Sequence, residues 1–174
     1  MYRIIPKDEN PALREVSKSL TQEEIASARI QTLIAEMKTL LAKEKLGVAL
    51  AAPQVGEAVR LFVVSGAALA RQDDEHAPAL PDQVYINPEI IRVSRKTTLK
   101  HEGCLSIRGK WGQVPRVEKM TVRAQDEHGS TFTRGASGFL AHIFQHEIDH
   151  LDAILYIDKA TELFDDEEMV SKES

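Results

Sequence analysis

Residues 136–152 read ASGFLAHIFQHEIDHLD, and their spacing constrains the fold more than any other feature of the chain. His146 and His150 stand four apart with Glu147 beside the first. On a helix such histidines share one face, with the glutamate next to them. Phe139, Leu140, Ile143, Phe144 and Leu151 surround them, so the helix is expected to lie against other structure rather than in solvent. A histidine pair on a packed helix points to a metal site, but two ligands do not complete one. His142 stands four residues before His146, yet His142 and His150 would lie about 12 Å apart along a helix, so one ion cannot take all three. Glu147 favours the His146/His150 pair, because a general base belongs beside the water it deprotonates. His142 then walls a pocket one turn earlier, together with Phe139 and Ile143.

The remaining chain supplies what this helix packs against. TQEEIASARIQTLIAEMKTLLAKEKLG, residues 21–47, is predicted as one amphipathic packing helix. Thr21 and Glu24 make a capping-box signature, apolar residues recur at helical spacing, and Gly47 can end it. Residues 48–135 change to short β-like runs, RLFVVS, VYINPEIIRVS and EKMTVRAQD, and AQDEHGS reads as a hairpin turn. RQDDEHAPALPD, residues 71–82, is predicted as a polar surface loop in which His76 has no role. The acidic tail from about residue 160 is expected to carry a short helix and then fray. No repeat and no linker divides the chain. The expectation is a single domain over 1–174 of the α+β class: mostly antiparallel strands around a C-terminal metal-bearing helix, with an N-terminal packing helix.

Composition narrows the function. At 174 residues with 43% hydrophobic residues, the chain is long enough for a substantial core. Its formal net charge of −5 carries no overall basic footprint for nucleic acid or an acidic membrane. The start MYRIIPKDENPALREV lacks a signal-peptide pattern, and the apolar runs are too short to cross a bilayer, so a cytoplasmic location is expected. The single cysteine, Cys104, excludes an internal disulfide.

Cys104, in HEGCLSI (101–107), is the upstream candidate for the third ligand. A thiolate with two histidines leaves a position open for water, as catalytic sites do. Gly103 permits close backbone approach, and the N–H groups that follow can face a developing oxyanion. His101 is a weaker rival from the same segment. Downstream, Asp158 and Glu162 are the few alternatives, and Asp152 is too close on the same helix. A third segment, GVALAAPQVG (47–56), is small and apolar around one amide, Gln54. Small residues allow an extended substrate backbone to lie alongside as an added strand, and a Gln amide can stabilise an oxyanion without adding charge.

Taken in order, GVALAAPQ, EGCLS and QHEIDHL resemble the motifs of the peptide deformylase family, with INPEI and VPRVEKMTV extending the likeness between them. The resemblance implies removal of the N-terminal formyl group from N-formylmethionyl nascent peptides. It implies one divalent metal ion, Fe²⁺ with Ni²⁺, Co²⁺ or Zn²⁺ as substitutes, held by Cys104, His146 and His150. It makes Glu147 the general base and gives the oxyanion to Gln54 and the Leu105 N–H. Gly47, Val48, Ala49 and Gly103 would border the substrate, with Phe139, His142 and Ile143 around its methionine. Glu102 and Arg116 match the family's buried pair, although an ordinary surface ion pair reads the same in sequence. A monomer with transient ribosome contact is the expected state. The readings weighed against it are a deformylase-like amidase of altered preference, a zinc endopeptidase and a non-catalytic metal-stabilised formyl-peptide binder.

The chain departs from the family pattern at four places. Ala49 and Ala153 replace glycines, His142 is polar for a methionine pocket, and Trp111 stands where a basic residue is usual. If position 153 needs a left-handed backbone, alanine there costs on the order of 1 kcal/mol.

Overall fold

The computed structural model describes residues 1–73, 78 and 80–166. The capping box forms as the sequence implies: the Thr21 side chain accepts the Glu24 N–H, and Glu24 accepts the Thr21 N–H, starting helix α1 (Gln22–Ala26). The single helix expected over 21–47 is nevertheless two. Ser27 adopts an extended backbone, φ −67° and ψ 147°, and its Oγ accepts the Ile30 N–H to start α2 (Ala28–Lys43). A serine offers the backbone a cap that competes with helix continuation, and here the cap wins. α2 stops at Lys43, before Gly47.

Strands β1 (Ala49–Ala51) and β2 (Leu61–Val64) follow, then α3 (Gly66–Asp73). The Ser65 hydroxyl caps α3 by accepting the Ala68 N–H, and an alanine-rich first turn carries the helix through 71–73, where a loop was expected. His76 lies outside the described residues. Next come β3 (Gln83–Val93), β4 (Thr97–Cys104), β5 (Ile107–Val117), β6 (Lys119–Gln125) and β7 (Thr131–Ser137). The AQDEHGS turn joins β6 to β7 as expected, with Asp126 Oδ1 accepting the His128 and Ser130 N–H groups. Residues 136 and 137 finish β7, so α4 (Gly138–Leu151) begins later than the expected 136. Gly138, at φ 56°, makes the strand-to-helix corner. α5 (Tyr156–Lys159) and β8 (Glu162–Asp165) complete the described chain. The tail expected to fray from about 160 is ordered as far as β8: Thr161 donates to the Gln113 carbonyl and Phe164 is buried beside β5.

All strand pairs in the two sheets are antiparallel; one sheet has the order β1-β2-β3-β6-β7, the other β4-β5-β8. This is the α+β arrangement expected. β2, LFVV, is apolar at every position because the first sheet is covered on both faces. Leu61 and Val63 pack with Ile30, Leu33, Met37 and Leu41 of α2. Phe62 and Val64 point the other way, with Tyr85 and with Ala141, Phe144, Ile148 and Leu151 of α4. Phe62 stacks on Tyr85 at 4.8 Å between ring centroids, and Phe144 meets Tyr85 edge-on at 4.8 Å. α4 is therefore held by its apolar face against the first sheet, leaving the face of His142, His146 and Asp149 for the second.

Ala153 takes φ 61°, the left-handed corner after α4. The β-carbon there meets the following carbonyl, a penalty glycine lacks. Ala153→Gly is predicted to stabilise the fold by about 1 kcal/mol and raise Tm by about 2–4 °C in a calorimetric scan; an unchanged or lower Tm would refute the strain.

Candidate active site and metal centre

Two side chains from α4 and one from β4 converge. The ligand atoms of Cys104, His146 and His150 all lie within 4.8 Å of one another, and Cys104 Sγ is 3.4 Å from His150 Nε2. Register along β4 slips between Glu102 and Cys104, a bulge at Gly103 that ends the regular ladder just before the thiol. The set fits one divalent ion on chemical grounds: one sulfur, two imidazoles, and ring orientation by a neighbouring carboxylate. Glu102 Oε1 accepts from His146 Nδ1 at 2.6 Å, which leaves Nε2 of that ring as the donor atom. His150 is 1% exposed, and burial pushes its pKa well below the ordinary value, so the ring is neutral as a ligand must be.

Glu102 is itself buried with Arg116 in a fork. Arg116 Nε and Nη2 reach its two oxygens at 2.7 and 2.8 Å, while Nη1 donates to Asp149 Oδ2 at 2.7 Å. The surface-pair reading of Glu102 and Arg116 is thus excluded: the two are each 3% exposed. Burial alone would raise the Glu102 pKa, but hydrogen bonds from His142, His146 and Arg116 outweigh it and hold the carboxyl well below the usual range. Lys159 closes the chain of charges on Asp149 Oδ1 at 2.8 Å. Asp149 was not singled out in the sequence, although it sits three residues after His146, on the same side of a helix.

Glu147 faces the cleft from 4% exposure, and its Oε2 has no hydrogen-bond partner among the described residues. Desolvation raises its pKa to about 7. Gln54 is buried in a short 3₁₀ turn; its Oε1 accepts the Ala51 N–H at 2.9 Å, which turns Nε2 toward Cys104 Sγ at 3.4 Å. The N-terminal segment, which the sequence reading passed over, fastens this turn. Ile5 N–H donates to the Gln54 carbonyl, Asn10 Nδ2 to the Pro53 carbonyl, and Lys7 N–H to the Ser106 carbonyl two residues past Cys104.

A cleft of about 730 Å³ opens over these groups. Gly47, Val48, Ala49 and Gln54 line one side, and Gly103, Cys104 and Leu105 the other. Phe139, His142, Ile143, His146 and Glu147 form the floor from α4. His150 is buried and is not among the residues that line the cleft. His142 Nε2 is 3.4 Å from Glu102 Oε2, which explains its polarity: it faces the buried carboxylate as well as the pocket. His101 lines the outer cleft and contacts Gln113, outside the Cys104/His146/His150 cluster.

Residues 2–165 match the family model described as polypeptide deformylase. The chain belongs to the polypeptide deformylase family. Peptide deformylase 2 of Nostoc sp. is 40% identical over 150 residues, covering 86% of this chain and 81% of the relative. The crystal structure of peptide deformylase from Thermotoga maritima superposes with a TM-score of 0.79 at 31% identity, covering 93% of this chain and 99% of that one. A class I type b peptide deformylase from Acinetobacter baumannii, solved with Met-Ala-Ser bound, gives 0.78 at 31% identity over 91% and 99%.

Arg116→Met would leave Glu102 and Asp149 as buried charges short of a cation. The expected cost is about 3–5 kcal/mol, read from the urea midpoint. Glu102→Gln should lower metal affinity by about 10–100-fold in chelator competition, because His146 loses its carboxylate acceptor. Unchanged affinity would show that Glu102 does not orient the ring.

Proposed function

We propose that this single-domain chain hydrolyses the N-terminal formamide of N-formylmethionyl peptides and releases formate, acting in the cytoplasm on nascent chains. The observation that carries this is the convergence of Cys104, His146 and His150 beneath a cleft whose only unpartnered buried carboxylate oxygen, among the described residues, belongs to Glu147. The donor set of one thiolate and two imidazoles suits Fe²⁺ as resident ion, with Ni²⁺, Co²⁺ or Zn²⁺ able to replace it.

A cation held there supplies Lewis acidity, making water acidic enough to ionise near neutral pH and polarising the formyl oxygen. Glu147 takes the proton from the attacking water and returns it to the departing amine, so the C–N bond breaks with the charge balanced. The Gln54 Nε2 hydrogens and the Leu105 N–H, beside Cys104, meet the negative charge that develops on the formyl oxygen. Gly47, Val48, Ala49 and Gly103 leave room for the peptide backbone, while Phe139, His142 and Ile143 receive the methionine side chain.

Protein purified anaerobically with Fe²⁺, or loaded with Ni²⁺, is expected to release formate from formyl-Met-Ala-Ser. Stripping with a chelator should abolish release and re-adding the metal restore it. Glu147→Ala should keep the metal while losing at least about 10²-fold in kcat. Absence of release with metal demonstrably bound would reject the assignment.

A further inference from the structure

Trp111 is the chain's single tryptophan, and the reaction just described leaves it without a role. It stands on β5 within the lining of the cleft, half-buried. Three contacts hold it. Its ring lies against Gly103, one residue before Cys104, so closely that a β-carbon at Gly103 would come 3.0 Å from Cζ3 and 3.1 Å from Cε3. Its Nε1–H donates to Asp166 Oδ1 at 2.6 Å. β8 pairs with β5, placing Phe164 directly opposite Trp111 in register. An indole pinned by backbone, carboxylate and strand has little rotamer freedom left to lose when a ligand arrives.

Cations outnumber carboxylates around it: Lys43, Lys45, Arg108 and Lys110 line the cleft with Glu44 and Asp166. Lys45, Arg108 and Lys110 line the same outer part of the cleft and are exposed. Arg108 pairs with Glu44 across the cleft at 2.9 Å and Lys110 with Asp165 at 3.0 Å, and Lys45 has no acidic partner among the described residues. The opening is therefore an aromatic wall with a local excess of cations, in a chain whose net charge is −5.

We propose that Trp111 is a specificity-determining residue that reads the side chain following the substrate's methionine, favouring a large apolar or aromatic group and disfavouring a basic one. The proposal rests on the deformylase reading above. With the methionine over α4 as proposed above, the chain after it would pass Gly103, which lines the cleft against the indole. Aromatic contact favours Phe or Leu there, and the excess of cations in the lining, with Lys45 unpaired among the described residues, disfavours a lysine or arginine.

The test uses a series Met-X-Ser and formyl-Met-X-Ser, with X as Phe, Leu, Ala or Lys. The deformylated peptides are titrated into the metal-loaded protein while Trp111 emission is recorded. Met-Phe-Ser should shift the emission and bind about fivefold more tightly than Met-Ala-Ser, with Met-Lys-Ser weakest. In the formate assay the same order should appear in KM, with kcat nearly constant along the series. Trp111→Phe should keep the Phe-over-Ala ratio and Trp111→Arg should erase it; a merely structural role would instead lower kcat equally for every X. Equal affinities along the series, or binding with no change in emission, overturns the proposal. Because the titration needs no turnover, absence of formate from every substrate would reject the deformylase assignment and leave this readout intact.

Discussion

Arg116, buried between Glu102 and Asp149, is the interaction on which the site depends. This interaction joins β5, β4 and α4 through Arg116, Glu102 and Asp149, whose side chains are 2%, 1% and 12% exposed. Burying such a group is rarely the most stabilising choice, since the desolvation of each ion offsets most of the attraction. What it supplies is geometry. An ionised Glu102 fixes the tautomer and orientation of His146, and hydrogen bonds from His142, His146 and Arg116 keep Glu102 ionised in a place where burial favours the neutral acid. The second charge, Asp149, extends the same clamp to the helix that carries both histidines.

The scaffold around this clamp separates packing from chemistry by helix face. Ala141, Phe144, Ile148 and Leu151 bind α4 to the first sheet, and the polar face is left to meet the second. Gln145 locks the orientation of the helix: its amide donates to the Val117 carbonyl at 3.0 Å and its oxygen accepts the Val117 N–H at 2.9 Å. With α4 held from two directions, the positions of His146 and Glu147 follow from the sheets and not from the helix alone. The N-terminal segment does the same service for Gln54 and the segment after Cys104 through backbone hydrogen bonds.

The parts of this design legible in the sequence are those written locally. The helix period displays His146, Glu147 and His150 on adjoining faces, the capping box of Thr21 is a four-residue pattern, and the left-handed corner at Ala153 follows the last turn of α4. Cys104 is a candidate on its own chemistry, and its grouping with His146 and His150 gains support from family resemblance, since no spacing rule joins residue 104 to residue 146. Ser27 shows the limit of periodicity: the apolar pattern runs through it, and its own hydroxyl breaks the helix. Asp149, Lys159 and the N-terminal fastening were missed because their roles exist only across 10 residues or more, as with the Asp149–Lys159 bond and the pairing of Lys7 with Ser106. The tail was misjudged because its acidic composition hides one buried phenylalanine, Phe164, which is enough to seat a short strand against β5.

The separation of Cys104 from His150, 46 residues, also governs when the site can exist. Translation delivers the thiol first, on a strand whose pairing partner β5 is not yet made, and the histidines only after the first sheet and β4 and β5 have been synthesised, with β8 still to come. Until α4 docks, Cys104 is an ordinary cysteine with no neighbouring imidazole. A site built from Cys104, His146 and His150 therefore cannot form until α4 is made, and until then the thiol stands without its two histidine neighbours.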